Sequence, residues 1–249
     1  MCVIVLKFKG ADFPSKRTIK ACIEENPHGF AMAWNENGQL RTFRTMDADE
    51  IMSKYDEVRH LDPAATGLVF HARIATHGSK SLANCHCWTN DEGNLAFAHN
   101  GILSNVGSRG DLTDSETFFR DIFLPVYDGA GKRVAMEVAR ITALATNSRL
   151  ALIDEKGDIS PVGAYSKECE EGHRGMVYFS NMNWKRRMFT QWPFDRRPAS
   201  KKPAPVPRRG SVVSTLDEDG RITSVTVKDL LAKDDIPYWS PSGSLFDMP

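Results

Sequence analysis

A cysteine at position 2, directly followed by an apolar run, is the feature that most constrains this chain. Removal of Met1 would leave a first residue that carries both a thiol and a free α-amino group. These groups titrate near pH ~8.5 and ~8, so each exchanges protons close to neutral pH. A thiolate whose own amine serves as base needs no separate histidine. Most chains that begin Met-Cys do not use this chemistry, so Cys2 gains meaning only from the residues around it.

Two apolar runs end in polar groups suited to a binding site. Residues 68–70 form a β-like run that leads to Arg73, and residues 95–98 form a second run that stops at Asn100 and Gly101. Asn-Gly marks a tight turn, so an amide side chain and a backbone N–H project together from a strand end. Such a pair of donors is able to form an oxyanion hole.

An acidic residue completes the set of candidate groups. Thr113-Asp114-Ser115-Glu116 fits a capping box, which places Asp114 in the first turn of a helix. Each group also has an ordinary interpretation: Arg73 in a surface ion pair, Asn100-Gly101 in a hairpin turn, and Asp114 on the helix dipole. The combination is more specific, because a free amino acid needs a guanidinium for its α-carboxylate and a carboxylate for its α-ammonium.

On these residues the chain resembles the glutaminase domain of class II glutamine amidotransferases, the N-terminal-cysteine branch of the Ntn hydrolases. The family pattern is an N-terminal Cys, then His-x-Arg-x-Ala-Thr-His-Gly, Asn-x-His, His-Asn-Gly and Asp-x-Glu. The same order occurs here at Cys2 and at residues 71–78, 84–86, 99–101 and 114–116. The resemblance covers roughly residues 2–184 and includes Ser180-Asn181, which resembles a late strand-end Ser-Asn pair of related hydrolases.

The resemblance implies a role for each matching residue. Cys2 would attack the side-chain carboxamide of glutamine, release ammonia and form a γ-glutamyl thioester that water hydrolyses, with its α-amino group as base. No cofactor is implied. By the same resemblance, the Asn100 side chain and the Gly101 N–H would form the oxyanion hole. Arg73 would bind the α-carboxylate of the substrate and Asp114 its α-ammonium. Thr76 and His77 would contact the glutamine.

Three departures from the family pattern argue against its large biosynthetic branches. Val3 follows the nucleophile where many members have Gly. Ile74 stands where the amino-sugar-forming and purine-forming members usually carry Trp, and Asn84-Cys85-His86-Cys87 replaces Asn-x-His-Pro. None of these changes affects the proposed catalytic atoms.

The cysteines favour neither a metal site nor a disulfide framework. Zinc sites usually separate their cysteines by two or more residues, whereas Cys85 and Cys87 flank a single histidine. We therefore expect no metal. Five cysteines without regular spacing are typical of a protein from a reducing cytoplasm.

The resemblance implies an α+β fold, the four-layer αββα sandwich of the Ntn hydrolases. Local patterns predict strands and helices that are compatible with it, including a hairpin at Asn37-Gly38. The predicted strands are residues 3–8, 30–34, 39–44, 149–154, 159–162 and 175–179, besides the two motif strands. The predicted helices are residues 15–25, 47–58, 114–126 and 133–144.

The composition changes after Trp184 and predicts a boundary there. Of 249 residues 41% are hydrophobic and the formal net charge is zero, but residues 185–209 hold nine Lys or Arg and one acid. We assign residues 1–184 to the catalytic domain, 185–210 to a basic Pro-rich linker, and 211–249 to a small appendage with a hairpin. The alternative for the linker is an electrostatic arm that binds nucleic acid or an acidic partner.

Three functions remain open from the sequence. The first is a stand-alone glutaminase that supplies ammonia to a separate synthetase or ligase, since too little chain follows Trp184 for an acceptor domain. The second is hydrolysis of a γ-glutamyl amide other than glutamine. The third is a non-catalytic interaction protein with the same fold. No segment approaches the ~20 apolar residues that span a bilayer, and no signal peptide is evident, so we expect a cytoplasmic protein without membrane contact.

Overall fold

Antiparallel strands form the centre of the fold. The computed structural model describes residues 2–75, 79–107, 109–110, 112–189, 213–216 and 222–225. Between residues 3 and 179 the strands are β1 (Val3–Lys7), β2 (Phe30–Glu36), β3 (Gln39–Thr45), β4 (Leu68–Ala72), β5 (Trp88–Thr89), β6 (Leu95–Asn100), β7 (Arg149–Asp154), β8 (Ile159–Val162), β9 (Ser166–Glu168) and β10 (Val177–Phe179). They make a six-stranded sheet, in the order β3-β2-β4-β1-β10-β9, and a four-stranded sheet, in the order β5-β6-β7-β8.

Strand β1 lies inside the six-stranded sheet, paired with β4 on one side and β10 on the other. All five of its residues are buried. Successive side chains of a strand point to opposite faces. Val3 and Val5 therefore pack toward the helices, whereas Ile4 and Leu6 pack toward the second sheet. Cys2 immediately precedes this strand, so the candidate nucleophile is attached to the interior of the molecule.

The two sheets pack against each other through small side chains. Their shared apolar cluster contains five alanines besides larger residues from both sheets. Alanine side chains allow two pleated surfaces to approach closely, which brings the end of β6 near the start of β1. The five alanines are Ala31, Ala33, Ala96, Ala98 and Ala151.

Helices cover the outer face of each sheet and complete four layers. Helices α1 (Lys16–Glu25) and α2 (Ala48–Val58) share an apolar cluster with the six-stranded sheet. The outer face of the four-stranded sheet is covered by α3 (Asp114–Thr117), a π-helical turn (Phe118–Phe123) and α4 (Leu124–Thr146). The layering agrees with the αββα arrangement expected from the resemblance.

Local chemistry explains most element boundaries. Ser15 caps α1 by accepting a hydrogen bond from the Thr18 N–H, and Asp47 caps α2 through two such bonds. The predicted hairpin at Asn37-Gly38 is present, and both residues have positive φ, as a type I′ turn requires.

The helices after residue 114 differ in detail from the two predicted. The first begins at Asp114, as expected, but passes through the π-helical turn before α4. Gly131, with φ 85° and ψ 165°, is the non-helical residue inside α4 and separates its two parts. The predicted break between residues 126 and 133 therefore corresponds to one glycine in a conformation that other residues rarely adopt.

The chain divides into two units, residues 1–197 and 198–249. In the first unit a short helix, α5 (Lys185–Phe189), occupies the start of the predicted linker, and Met188 packs against the apolar cluster of the six-stranded sheet. In the second unit β11 (Val213–Leu216) pairs antiparallel with β12 (Ile222–Val225), a hairpin close to the one predicted. No helix in the described part of the chain is both long enough and apolar enough to cross a bilayer.

Candidate active site

Cys2 lines a pocket, and its thiol is held by the residue after Arg73. The Ile74 N–H donates to Sγ at 3.4 Å, and the thiol reaches the Ile74 carbonyl oxygen at 3.6 Å. The Asn181 side chain donates to the Cys2 carbonyl oxygen at 2.5 Å. Burial raises the pKa of the Cys2 thiol, although the Ile74 hydrogen bond and the Arg73 charge act in the opposite direction. The thiol therefore keeps its proton near neutral pH unless a base removes it.

Arg73 brings a cation to the same pocket from the end of β4. Its backbone exchanges hydrogen bonds with His28 and Gly29, next to β2, and its side chain is only 4% exposed. The guanidinium Nη1 donates to the Ser79 carbonyl oxygen at 2.9 Å. Asn84 donates to the same oxygen at 3.0 Å, so the segment after β4 is tied to the guanidinium.

Asn100 and Gly101 end β6 opposite the start of β1. The Asn100 side chain is buried, and its Nδ2 donates to the Ser180 hydroxyl at 2.8 Å. Gly101 has a φ of 150°. A Cβ atom at this position would lie 2.2 Å from Ser148 Oγ and 3.0 Å from His99 Nε2. Only glycine fits both this backbone conformation and this space.

Asp114 brings an anion from the first turn of α3. Thr113 caps the helix by accepting from the Glu116 N–H at 3.3 Å, which confirms the predicted N-cap. The Glu116 carboxylate pairs with Arg120 at 2.8 Å. The Asp114 carboxylate accepts from the backbone N–H groups of Leu103 and Ser115, each at 2.7 Å. These bonds fix the carboxylate at the pocket wall.

Four of the seven predicted site residues line one pocket: Cys2, Arg73, Gly101 and Asp114. Its empty volume of about 370 Å³ includes space open to solvent. Asn100 is not among the residues that line this pocket, and its side-chain amide contacts the Ser180 hydroxyl. Thr76 and His77 lie outside the described residues. The other lining residues are Ile74, His86, His99, Ile102, Thr113 and Ser115.

Three stacked histidines, two of which line the pocket, were not given roles from the sequence. The His71 and His86 rings stack with centroids 3.9 Å apart, and His86 and His99 stack at 6.2 Å. Burial lowers the pKa of His71 to about 3, that of His99 to about 4, and that of His86 well below its ordinary value. The pocket wall is therefore polar and uncharged here. Each histidine lies in a family motif, which is the signal that could have identified them.

The other cysteines of the motif region pack as buried thiols. Cys85 and Cys87 are buried, and Cys85 Sγ contacts Met46 Sδ at 3.6 Å. All five cysteines of the chain are free. Within the described ranges, no group of three or more His, Cys, Asp or Glu side chains is placed to hold a metal ion.

The sequence of this chain is similar to those of known amidotransferases. Residues 3–151 match the family model described as "Glutamine amidotransferases class-II". A Haemophilus influenzae protein named "Putative glutamine amidotransferase" is 29% identical over 125 residues, 47% of this chain and 41% of that protein. A glutamine–fructose-6-phosphate aminotransferase (isomerizing) from Leifsonia xyli is 30% identical over 82 residues, 33% of this chain and 13% of that enzyme. The alignments thus span less than half the length of these curated relatives.

Two solved enzyme structures are among those similar to this chain. A glutamine phosphoribosylpyrophosphate amidotransferase from B. subtilis, complexed with ADP and GMP, has a TM-score of 0.46 at 14% identity. The allosteric regulatory enzyme of purine biosynthesis has a TM-score of 0.48 at 16% identity. Each match covers 72% of this chain, and 41% and 42% of the respective solved chains.

Proposed function

The chain belongs to the class II glutamine amidotransferases, and we propose that it releases the amide nitrogen of L-glutamine as ammonia through Cys2. The observation that carries this proposal is the convergence of a thiol, a guanidinium and a carboxylate on one pocket. Cys2, Arg73 and Asp114 come from three separate chain segments, yet all three line the same space. A free amino acid with a reactive side chain is the class of substrate that this set fits.

The first step is transfer of the Cys2 thiol proton to a base. Because burial raises the thiol pKa, the sulfur holds its proton in the resting site. After removal of Met1, the α-amino group of Cys2 is the adjacent base. As the proton moves from sulfur to nitrogen, the sulfur electron pair forms a bond to the glutamine carboxamide carbon, and the carbonyl oxygen becomes an oxyanion.

The oxyanion is stabilised by groups at the end of β6. The Gly101 N–H and the Asn100 carboxamide are the proposed donors. Collapse of the oxyanion breaks the C–N bond as the α-ammonium of Cys2 returns its proton to the amide nitrogen, which leaves as ammonia. Water then attacks the γ-glutamyl thioester, the C–S bond breaks, and glutamate leaves as the thiol regains a proton.

Binding of the substrate zwitterion orients the carboxamide toward Cys2. Arg73 pairs with the α-carboxylate and Asp114 with the α-ammonium, and Thr76 and His77 contribute further contacts in this proposal. Since Arg73 is 4% exposed, an amide without the α-carboxylate would bind next to a poorly solvated guanidinium. This explains why the site would reject amides that lack the amino-acid end.

We further propose that a separate enzyme consumes the ammonia. Beyond the family match, which ends at residue 151, the described residues up to 189 complete the same two sheets and their helical cover. They supply strands β8 to β10 and helix α5. The residues described between 152 and 189 thus belong to the same fold as the residues of the family match.

The proposal is tested by exposing the full chain to 6-diazo-5-oxo-norleucine, a reactive glutamine mimic, and measuring the intact mass. We expect loss of Met1 and one covalent adduct, which Cys2→Ala does not form and Cys22→Ala still forms. Ammonia release from L-glutamine should vanish in Cys2→Ala. Retention of Met1 would exclude the N-terminal-nucleophile mechanism. A processed, unlabelled Cys2 that instead cleaves γ-glutamyl-p-nitroanilide would identify another γ-glutamyl amide as substrate.

A further inference from the structure

Ser180, directly after β10, connects the strand of the nucleophile with the end of β6. Its hydroxyl oxygen accepts from the Ile4 N–H at 2.8 Å and contacts the Asn100 carboxamide at 2.8 Å. Its own N–H donates to the Ile4 carbonyl oxygen at 2.9 Å. One buried serine is thus bonded both to β1, two residues from Cys2, and to the residue before Gly101.

The hydrogen bonds around Ser180 are incomplete when the Asn100 amide nitrogen faces its hydroxyl. With Nδ2 directed at Ser180, the buried Asn100 Oδ1 has no partner within the described part of the chain. In that arrangement Ser180 Oγ accepts twice, and its O–H finds no acceptor among the described residues. A buried acceptor without a partner costs about 1–3 kcal/mol. Turning the amide by 180° exchanges its oxygen and nitrogen without altering the shape of the side chain.

We propose that Ser180 is a positioning residue that donates its hydroxyl proton to Asn100 Oδ1 and so presents Asn100 Nδ2 to the oxyanion. In this arrangement Ser180 Oγ still accepts from the Ile4 N–H, and its proton has an acceptor. The Asn100 oxygen is then satisfied, and Nδ2 takes the buried position at which Oδ1 has no partner, where the oxyanion would be its acceptor. The role rests on the proposed glutaminase function, because it is the oxyanion that uses the freed donor.

The neighbouring residue gives Ser180 a fixed position relative to the nucleophile. Asn181 donates from its side chain to the Cys2 carbonyl oxygen at 2.5 Å. The Asn181 Oδ1 in turn accepts from the Asn183 N–H at 3.0 Å. Consecutive residues therefore contact Cys2, directly before β1, and Asn100, at the end of β6, so one short segment connects the nucleophile with the proposed oxyanion donor.

The test is a double-mutant cycle on ammonia release from L-glutamine by the full chain. We expect Ser180→Ala to lower kcat by roughly 10- to 100-fold with KM within twofold of wild type, since a misoriented donor acts in the transition state. Asn100→Ala should lower kcat about 100- to 1,000-fold. Ser180→Ala should cause no further loss in the Asn100→Ala background, and Ser180→Thr, which keeps a hydroxyl, should recover part of kcat. Ser166→Ala, at an exposed position of β9, is the matched control.

Multiplicative losses in the double variant, or a wild-type kcat for Ser180→Ala, would overturn the positioning role. A second readout separates this outcome from failure of the proposed function. The side-chain NH₂ signals of Asn100 in a ¹⁵N spectrum, identified by their absence in Asn100→Ala, should move in Ser180→Ala and remain in place in Ser166→Ala. If wild type releases no ammonia but these signals move, the contact stands and the glutaminase function fails. Signals that do not move overturn the contact.

Discussion

Gly101 occupies the most restrictive position in the candidate site. Its φ of 150° is unfavourable for a side chain, and a Cβ would lie 2.2 Å from Ser148 Oγ and 2.9 Å from Ser148 Cβ. The backbone must therefore shift if any side chain is introduced. Because the Gly101 N–H is the proposed backbone donor to the oxyanion, a shift there acts on catalysis as well as on stability.

We predict that Gly101→Ala lowers the unfolding free energy by about 2 kcal/mol and lowers kcat at least about 100-fold. Gly107→Ala is the matched control, because a Cβ at Gly107 meets nothing within 4 Å. Denaturant unfolding and ammonia release measure the two effects. A Gly101→Ala variant with normal turnover would show that this N–H does not contact the oxyanion.

The Asp114 carboxylate, which accepts from two backbone N–H groups, is the proposed partner of the substrate ammonium. Asp114→Asn keeps an oxygen for the Leu103 N–H but removes the charge that would pair with the substrate ammonium. We expect KM for L-glutamine to rise roughly 30-fold or more, as about 2 kcal/mol of pairing energy is lost. Asp121→Asn, which breaks only a partly exposed pair with Arg109, should leave KM unchanged. Steady-state kinetics of both variants test the difference.

The positions of the candidate site residues were easiest to predict from the sequence at strand ends and helix caps. Arg73, Gly101 and Asp114 follow recognisable boundaries, so their convergence with Cys2 could be anticipated from the motifs. The stacked histidines could not be interpreted in the same way. Whether a histidine is charged depends on its burial, which is a property of the packed structure.

At the scale of elements, the histidine stack links the two sheets. His71 belongs to β4 of the six-stranded sheet and His99 to β6 of the four-stranded sheet, with His86 between them. His99 is fixed by the Ser115 hydroxyl at 2.7 Å from its Nδ1. The Nδ1 of His86 accepts the His99 N–H at 3.0 Å, so a neutral His86 carries its proton on Nε2. This part of the layer interface depends on uncharged imidazoles.

We predict that this stack makes stability fall in mildly acidic solution. Burial holds the pKa of His71 at about 3, whereas an unfolded histidine titrates near ~6.5. The unfolded state therefore binds more protons below pH ~6.5, and His71 alone lowers the unfolding free energy by about 2 kcal/mol between pH 7 and pH 5. His71→Phe, which keeps a flat ring against His86, should reduce this pH dependence.

Urea unfolding at pH 7 and pH 5 measures the predicted change. His60→Asn, at an exposed position after α2, serves as the control and should keep the wild-type slope. An equal pH dependence in wild type and His71→Phe would show that His71 does not remain neutral in the folded protein.

The elements themselves were largely predictable because their boundaries are local. The hairpin at Asn37-Gly38 needs positive φ at two adjacent residues, and Asp47 and Thr113 cap their helices through their own side chains. The order of strands was not accessible in the same way. Pairing β1 with both β4 and β10 depends on residues about 65 and 174 positions apart, such as Val5 with Phe70 and Phe179. Nothing local in β1 specifies those partners.

At the scale of the whole molecule, the apolar clusters that support the site all lie within the first unit. The residues that form them run from Val3 to Met188. Two surface ion pairs, Lys185 with Glu168 and Arg187 with Glu25, hold α5 against this unit. Helix α5, which follows the boundary predicted at residue 184, is thus in contact with the first unit.

We predict that a chain shortened after Arg197 keeps the melting temperature and the ammonia release of the full chain. A chain shortened after Asn183 should be markedly less stable, because it loses Trp184, which is 3% exposed and lies 4.7 Å from the Phe179 ring. Removal of a buried Trp costs about 3–5 kcal/mol. The loss would also loosen β10, which pairs with β1 and leads into Ser180, so turnover should fall together with stability. Calorimetry and ammonia release on the two shortened chains test this. A chain ending at Arg197 that folds but has lost its activity would show that the second unit contributes to the site.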